Sequence, residues 1–87
     1  MLERGDSVIY PNRIHEVRTD KDIKITQKEL ADSVGVTQPM ISDYEAGISV
    51  PSVIVAELIA RYLDTTIQYL FEDGIEAYKA EMGLNTR

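Results

Sequence analysis

Residues 26–47, TQKELADSVGVTQPMISDYEAG, constrain the fold more than any other part of the chain. They open on Thr26 with Glu29 three residues on, the T-x-x-E pattern in which a hydroxyl and a carboxylate satisfy the free amides of a helix start. Leu30, Ala31 and Val34 follow at the spacing of one buried helical face. Gly35 comes where a left-handed residue ends a helix without a Cβ penalty, and Val36 can pack beneath the turn. Thr37 is then a second N-cap. Pro39 is tolerated because first-turn amides have no partner within the helix, Ile41 and Tyr44 lie three apart on the inward face, and Gly47 closes the element. Two helices of about eight residues around a glycine turn, with small Ala31 allowing close approach, predict a crossed pair. Gln38, Pro39, Ser42 and Asp43 then face away from the core at the start of the second helix, where side chains of this kind reach base edges in a major groove.

The remainder reads as further short helices, with no strand pattern, repeat or low-complexity tract, so the predicted class is all-α with five or six helices. Residues 1–11 read as an arm, ended by the turn signal Pro11–Asn12, after which Ile14, Val17 and Arg18 lie on a first helix. Residues 19–24, TDKDIK, are a charged connector. Pro51 and Ser52 start a fourth helix whose apolar set is Val55, Leu58, Ile59, Tyr62 and Leu63. Asp64, Thr65 and Thr66 separate it from a fifth helix at 67–71, and residues 74–82 suggest a short additional helix in a tail spanning 72–87.

A chain of 87 residues, 44% hydrophobic and 28% charged, is expected to form one domain with a real core, centred on residues 12–71. The absence of cysteine removes disulfides, thiolate metal sites and cysteine nucleophiles. The single His15 has no second nitrogen ligand in the sequence and reads as a surface residue. Asp20 with Asp22, and Glu72 with Asp73, lie in polar stretches without a nucleophile or oxyanion donor nearby. The expectation is therefore a non-enzymatic protein without cofactor or metal. No apolar run approaches a membrane span and no signal-peptide pattern is present, which points to the cytoplasm and away from membranes.

The motif residues resemble the Cro and phage-repressor-like helix-turn-helix regulators, the Xre family. The family pattern T/S-Q-x-E-L-A, G-V-T/S-Q, I-S-x-Y/W-E-x-G, then a proline and a helix ending near L-F is met by residues 26–31, 35–38, 41–47, Pro51 and Leu70–Phe71. The resemblance covers residues 12–71. It implies a lambda-repressor-like five-helix bundle that binds a palindromic double-stranded DNA operator as a homodimer, with the third helix as reader. Gln38 resembles the principal base reader, whose amide can pair with the N6 and N7 edge of adenine. Gln27 resembles the glutamine that touches a phosphate and braces the recognition helix. Thr37, Lys28, Ser49 and the backbone amides near residues 47–49 resemble phosphate contacts. Arg18 and Glu45 resemble a buried structural ion pair, within a framework that includes Ala31, Gly35, Ile41, Tyr44 and Gly47.

Three departures from the pattern carry their own expectations. The connector between Arg18 and Thr26 is about two residues longer than is usual in the family. Pro39 and Met40 replace polar residues and are suited to contact with a thymine methyl, while Asp43 either accepts from a cytosine N4 amine or faces solvent or a lysine. The net charge of −6 opposes DNA binding at long range. Residues 1–44 carry 6 basic and 8 acidic side chains and residues 45–87 carry 3 and 7, so a locally positive edge near the motif is expected. Three functions follow: a DNA-binding regulator, most simply a repressor; an antitoxin or controller whose acidic half binds a basic protein; or a protein-interaction module without DNA binding. Ile67, Leu70, Phe71, Ile75, Tyr78 and Met82 mark the fifth helix and tail as the expected dimer surface.

Overall fold

The computed structural model describes residues 10–84. Residues 1–9 of the arm expected at 1–11, and residues 85–87, lie outside the described residues. Five helices follow one another: α1 (Ile14–Arg18), α2 (Gln27–Val34), α3 (Gln38–Glu45), α4 (Val53–Tyr62) and α5 (Ile67–Met82). Among the described residues there is no strand, and no helix is long and apolar enough to cross a membrane.

Local chemistry accounts for the helix ends. Thr26 accepts from the Glu29 amide at 3.0 Å while the Glu29 carboxylate accepts from the Thr26 amide at 2.8 Å, a complete capping box. Thr37, Ser52 and Thr66 cap α3, α4 and α5 in the simpler one-bond form. Gly35 ends α2 at φ +80°, and Gly47 at φ +77° ends α3, its amide donating to the Tyr44 carbonyl and that of Ile48 to Asp43.

Ile14, Leu30, Ile41, Ile59, Leu63 and Leu70 are fully buried, with Ala31, Val34, Tyr44 and Ala60 packed around them. The inward face of α4 differs from the one its large residues suggest. Ala56, Ile59, Ala60 and Leu63 turn inward, whereas Leu58 and Tyr62 are exposed. Both faces share Ile59 and Leu63; the two alanines let α4 approach its neighbours closely, and that decides between them.

The tail does not form a separate helix. α5 runs unbroken from Ile67 to Met82, across the position where residues 72–74 suggest a break. Gly74 is there because the chain entering α1 crosses α5 at this point: a Cβ on Gly74 would stand 2.8 Å from the Pro11 carbonyl oxygen. Arg13 fastens the crossing. Its amide donates to the Leu70 carbonyl, Nη1 donates to the Tyr69 carbonyl and Glu72, Nη2 donates to Asp73, and the guanidinium lies 4.6 Å from the Tyr69 ring centroid. These partners raise the Arg13 pKa, the Glu72 hydrogen bond most of all.

Candidate nucleic-acid interface

At 100° per residue, Gln38, Ser42, Pro39, Asp43 and Met40 fan across the sector of α3 opposite its buried Ile41 and Tyr44, and all five are exposed. Met40 sits at the edge of that sector. The Asp43 side chain makes no ion pair or hydrogen bond among the described residues, which leaves it facing solvent. Thr37 uses its hydroxyl oxygen to accept from the Met40 amide at 3.3 Å and keeps its proton for an outside acceptor.

Behind this face runs a chain of side-chain hydrogen bonds. Gln38 Nε2 donates to Gln27 Oε1 at 3.1 Å, and Gln27 Nε2 donates to Glu45 Oε1 at 3.1 Å. Glu45 is held in turn by a two-point contact with Arg18: Nε to Oε2 at 2.6 Å and Nη2 to Oε1 at 3.0 Å. The two side chains are only 9% and 7% exposed, so this is a buried pair, and Arg18 Nη1 donates further to the Ile25 carbonyl at 2.9 Å. Burial pushes the Glu45 carboxyl up, but the hydrogen bonds from Arg18 and Gln27 and the Arg18 charge outweigh it and hold the carboxyl below its ordinary 4.5.

The long connector leaves Arg18 in place. The Asp20 carbonyl accepts from the amides of Ile23 and Lys24, the Asp20 carboxylate accepts from the Asp22 amide, and Lys24 takes φ +52°. The extra residues are thus folded into a tight turn, and the Ile25 amide returns to the Arg18 carbonyl at 2.9 Å.

Two expectations need correction. The amides of Gly47, Ile48 and Ser49 are engaged by carbonyls at the end of α3, at 3.0, 3.0 and 3.4 Å, whereas the Ser49 side chain is exposed and makes no hydrogen bond among the described residues. The positive edge is thinner than the sequence suggests: Lys28 pairs with Asp32 at 3.1 Å, and among the described residues Lys21 and Lys24, both on the connector, are the cations without an ion pair.

The helix-turn-helix family profile matches residues 14–70. The chain belongs to the helix-turn-helix family. It is also 49% identical over 58 residues to an uncharacterized HTH-type transcriptional regulator of Methanothermobacter thermautotrophicus, an alignment covering 62% of this chain and 84% of that one. The helix-turn-helix itself is α2, the Gly35 turn and α3, and the buried Arg18–Glu45 pair ties it to α1.

Sequence reading passed over two residues of this site, Asn12 and His15, and the residue that fastens α1 to α5, Arg13. Asn12 Nδ2 donates to the Tyr44 carbonyl at 2.7 Å and its Oδ1 accepts from the Ile14 amide, joining the start of α1 to α3. Its position after Pro11 was a turn signal and nothing more. Arg13 had no signal at all, since its partners lie 56 to 60 residues away. His15 is exposed, at 67% of its side chain, yet its ring touches both members of the buried pair.

Proposed function

We propose that this protein is a sequence-specific double-stranded DNA-binding regulator that lays α3 in the major groove and acts as a repressor by occupying its operator. The observation that carries the reading is the exposed Gln38 side chain, held through Gln27 to a buried ion pair and therefore preorganised at the head of α3. Its amide retains an oxygen and one N–H, the donor and acceptor that adenine's N7 and N6 edge requires. Pro39 and Met40 offer hydrocarbon to a thymine methyl, and Ser42 and Asp43 complete the reading face. Gln27, Lys28, Thr37 and Ser49 are the phosphate contacts, assisted by Lys24 and by the N-terminal ends of α2 and α3, which the Gln27–Gln38 contact brings side by side. With so few free cations, specificity rests on base contacts more than on charge. The protein has no catalytic role and works in the cytoplasm.

The protein acts as a homodimer on a palindrome, its two α3 helices about 34 Å apart. The surface that supports this is an apolar groove of about 530 Å³ between the Ser49–Val50 loop, the start of α4 and α5, with Ile75 and Tyr78 on its wall. Ile75, Tyr78 and Met82 are exposed, whereas Leu70 is fully buried and Ile67 and Phe71 are half-buried, so the expected dimer surface shrinks to the outer part of α5. The acidic balance and this same groove favour a basic protein partner as the second reading, an antitoxin or controller role.

Selection of random duplex DNA by the protein at near-physiological salt, beside Gln38→Ala, tests the first reading. An enriched palindrome is expected, with preference lost at one base position per half-site in the variant. No enrichment at any salt would leave the protein-partner reading. Sedimentation tests the dimer, and a monomer at every concentration would remove it.

A further inference from the structure

His15 is the chain's one histidine, and its Nδ1 lies between two groups that ask opposite things of it. Glu45 Oε1, at 3.2 Å, can only accept, and Arg18 Nη2, at 3.1 Å, can only donate. Among the described residues those two are the charged groups facing the ring: Arg18 from α1 and Glu45 from α3. α2 contributes the neutral Gln27 amide through Glu45, and the α5 acids Glu72 and Asp73 are engaged by Arg13 instead.

With a lone pair on Nδ1, the ring accepts from Arg18 and leaves Glu45 Oε1 to Arg18 and Gln27. With a proton there on an imidazolium, the ring donates to Oε1, which then meets three donors: Arg18 Nη2, His15 Nδ1 and Gln27 Nε2. A carboxylate oxygen has about two acceptor sites, and a cationic donor adds to its bond the attraction between its own charge and the carboxylate, which a neutral amide cannot. The uncharged Gln27 amide is the donor that loses. Its Oε1 is the anchor of Gln38, so the loss passes directly to the head of α3.

We propose that His15 is a positioning residue for the two glutamines: protonation of its ring displaces Gln27 from Glu45 and releases Gln38, lowering discrimination between duplexes but not general affinity for DNA. The consequence for DNA rests on the reading proposed above, whereas the coupling from ring to amides stands without it. A side chain that acted only by adding charge would raise affinity for every duplex alike and leave their ratio unchanged.

The first test follows the side-chain amide resonances of Gln27 and Gln38 in the full chain as pH falls from about 8 to about 5, the range over which histidine ordinarily changes charge. Glu45 stays ionised there, being held below 4.5. Both amides are expected to move with the midpoint of the His15 ring protons, and to stay still in His15→Gln. Amides that ignore the ring, or that move equally in the variant, overturn the proposal. The second test measures binding to the duplex selected by the protein and to an unrelated duplex at both ends of the range. Their ratio is expected to fall about two- to tenfold on acidification, the worth of one hydrogen bond, and to be pH-independent in His15→Gln. A flat ratio in the wild type, or the same fall in the variant, refutes the gating of discrimination. If no duplex is selected, the DNA reading fails and the amide titration alone decides the coupling.

Discussion

Around Arg18 and Glu45 the bundle buries charge, while around Leu70 and Gly74 it buries hydrocarbon and backbone. The α1–α3 half is thereby specific about direction. A guanidinium and a carboxylate that must satisfy each other at two points admit one relative placement of α1 and α3, and Gln27 extends that placement to α2. The α4–α5 half is held by packing and by the crossing of residues 10–13, and it leaves Ile75, Tyr78 and Met82 exposed. Rigidity lies behind the proposed reading face, and spare apolar surface lies where a second chain is proposed to dock. A buried ion pair is a poor source of net stability, so its place in the first half is better understood as positional.

Breaking the pair separates these roles and has the largest expected effect. Glu45→Ala strands the Arg18 guanidinium in the interior and is expected to cost about 3–5 kcal/mol in urea unfolding. Replacing both partners, Arg18→Met with Glu45→Leu, is expected to recover most of that while still weakening selection of a preferred duplex, because Gln27 has lost its acceptor. Recovery of stability together with unchanged selection would show that the pair has no positioning role.

Acid tests the same contact more gently. The Glu45 carboxyl titrates lower in the folded chain than in the unfolded one, so its contribution is complete above the ordinary value of 4.5 and is lost as pH falls through the depressed folded value. Stability of the wild type is expected to decline below about pH 4.5 more steeply than that of the double variant, as read by thermal unfolding across pH.

In the second half, Gly74→Ala sets two effects against each other. Alanine in a helix is favoured over glycine by about 1 kcal/mol, but its Cβ would stand 2.8 Å from the Pro11 carbonyl, and backbone cannot rotate away as a side chain can. Overpacking of this kind costs about 1–3 kcal/mol, so a net loss of about 1 kcal/mol is expected, with duplex selection intact. A gain in stability would mean that the crossing at α5 is loose. Smallest of all, Asp32→Ala removes an exposed partner of Lys28 and is expected to change unfolding by less than about 0.5 kcal/mol. By freeing that lysine it should also tighten DNA binding at low salt, measured by titration at two salt concentrations.

The two halves differ in the same way in how far they can be read from sequence. The capping box of Thr26 and Glu29, the left-handed Gly35 and the buried faces of α2 and α3 all depend on residues within four or five positions of each other, and the motif alone places them. The pairing of Arg18 with Glu45 spans 27 residues and was available only through the resemblance to a family. Nothing local separates the two possible inward faces of α4, because the large residues that mark one of them are ordinary on a surface as well.

By itself, then, the sequence determined where helices start and stop around the motif and which residues of α3 are left to face outward, since hydrogen-bonding range along a helix is one turn. Tertiary structure alone decided that α5 continues through Gly74, that α4 turns its alanines inward, and that an exposed histidine reaches a buried carboxylate 30 residues away. The continuity of α5 and the inward face of α4 depend on which surfaces meet. The reach of His15 depends on where a separate helix comes to rest, which residue type alone does not carry.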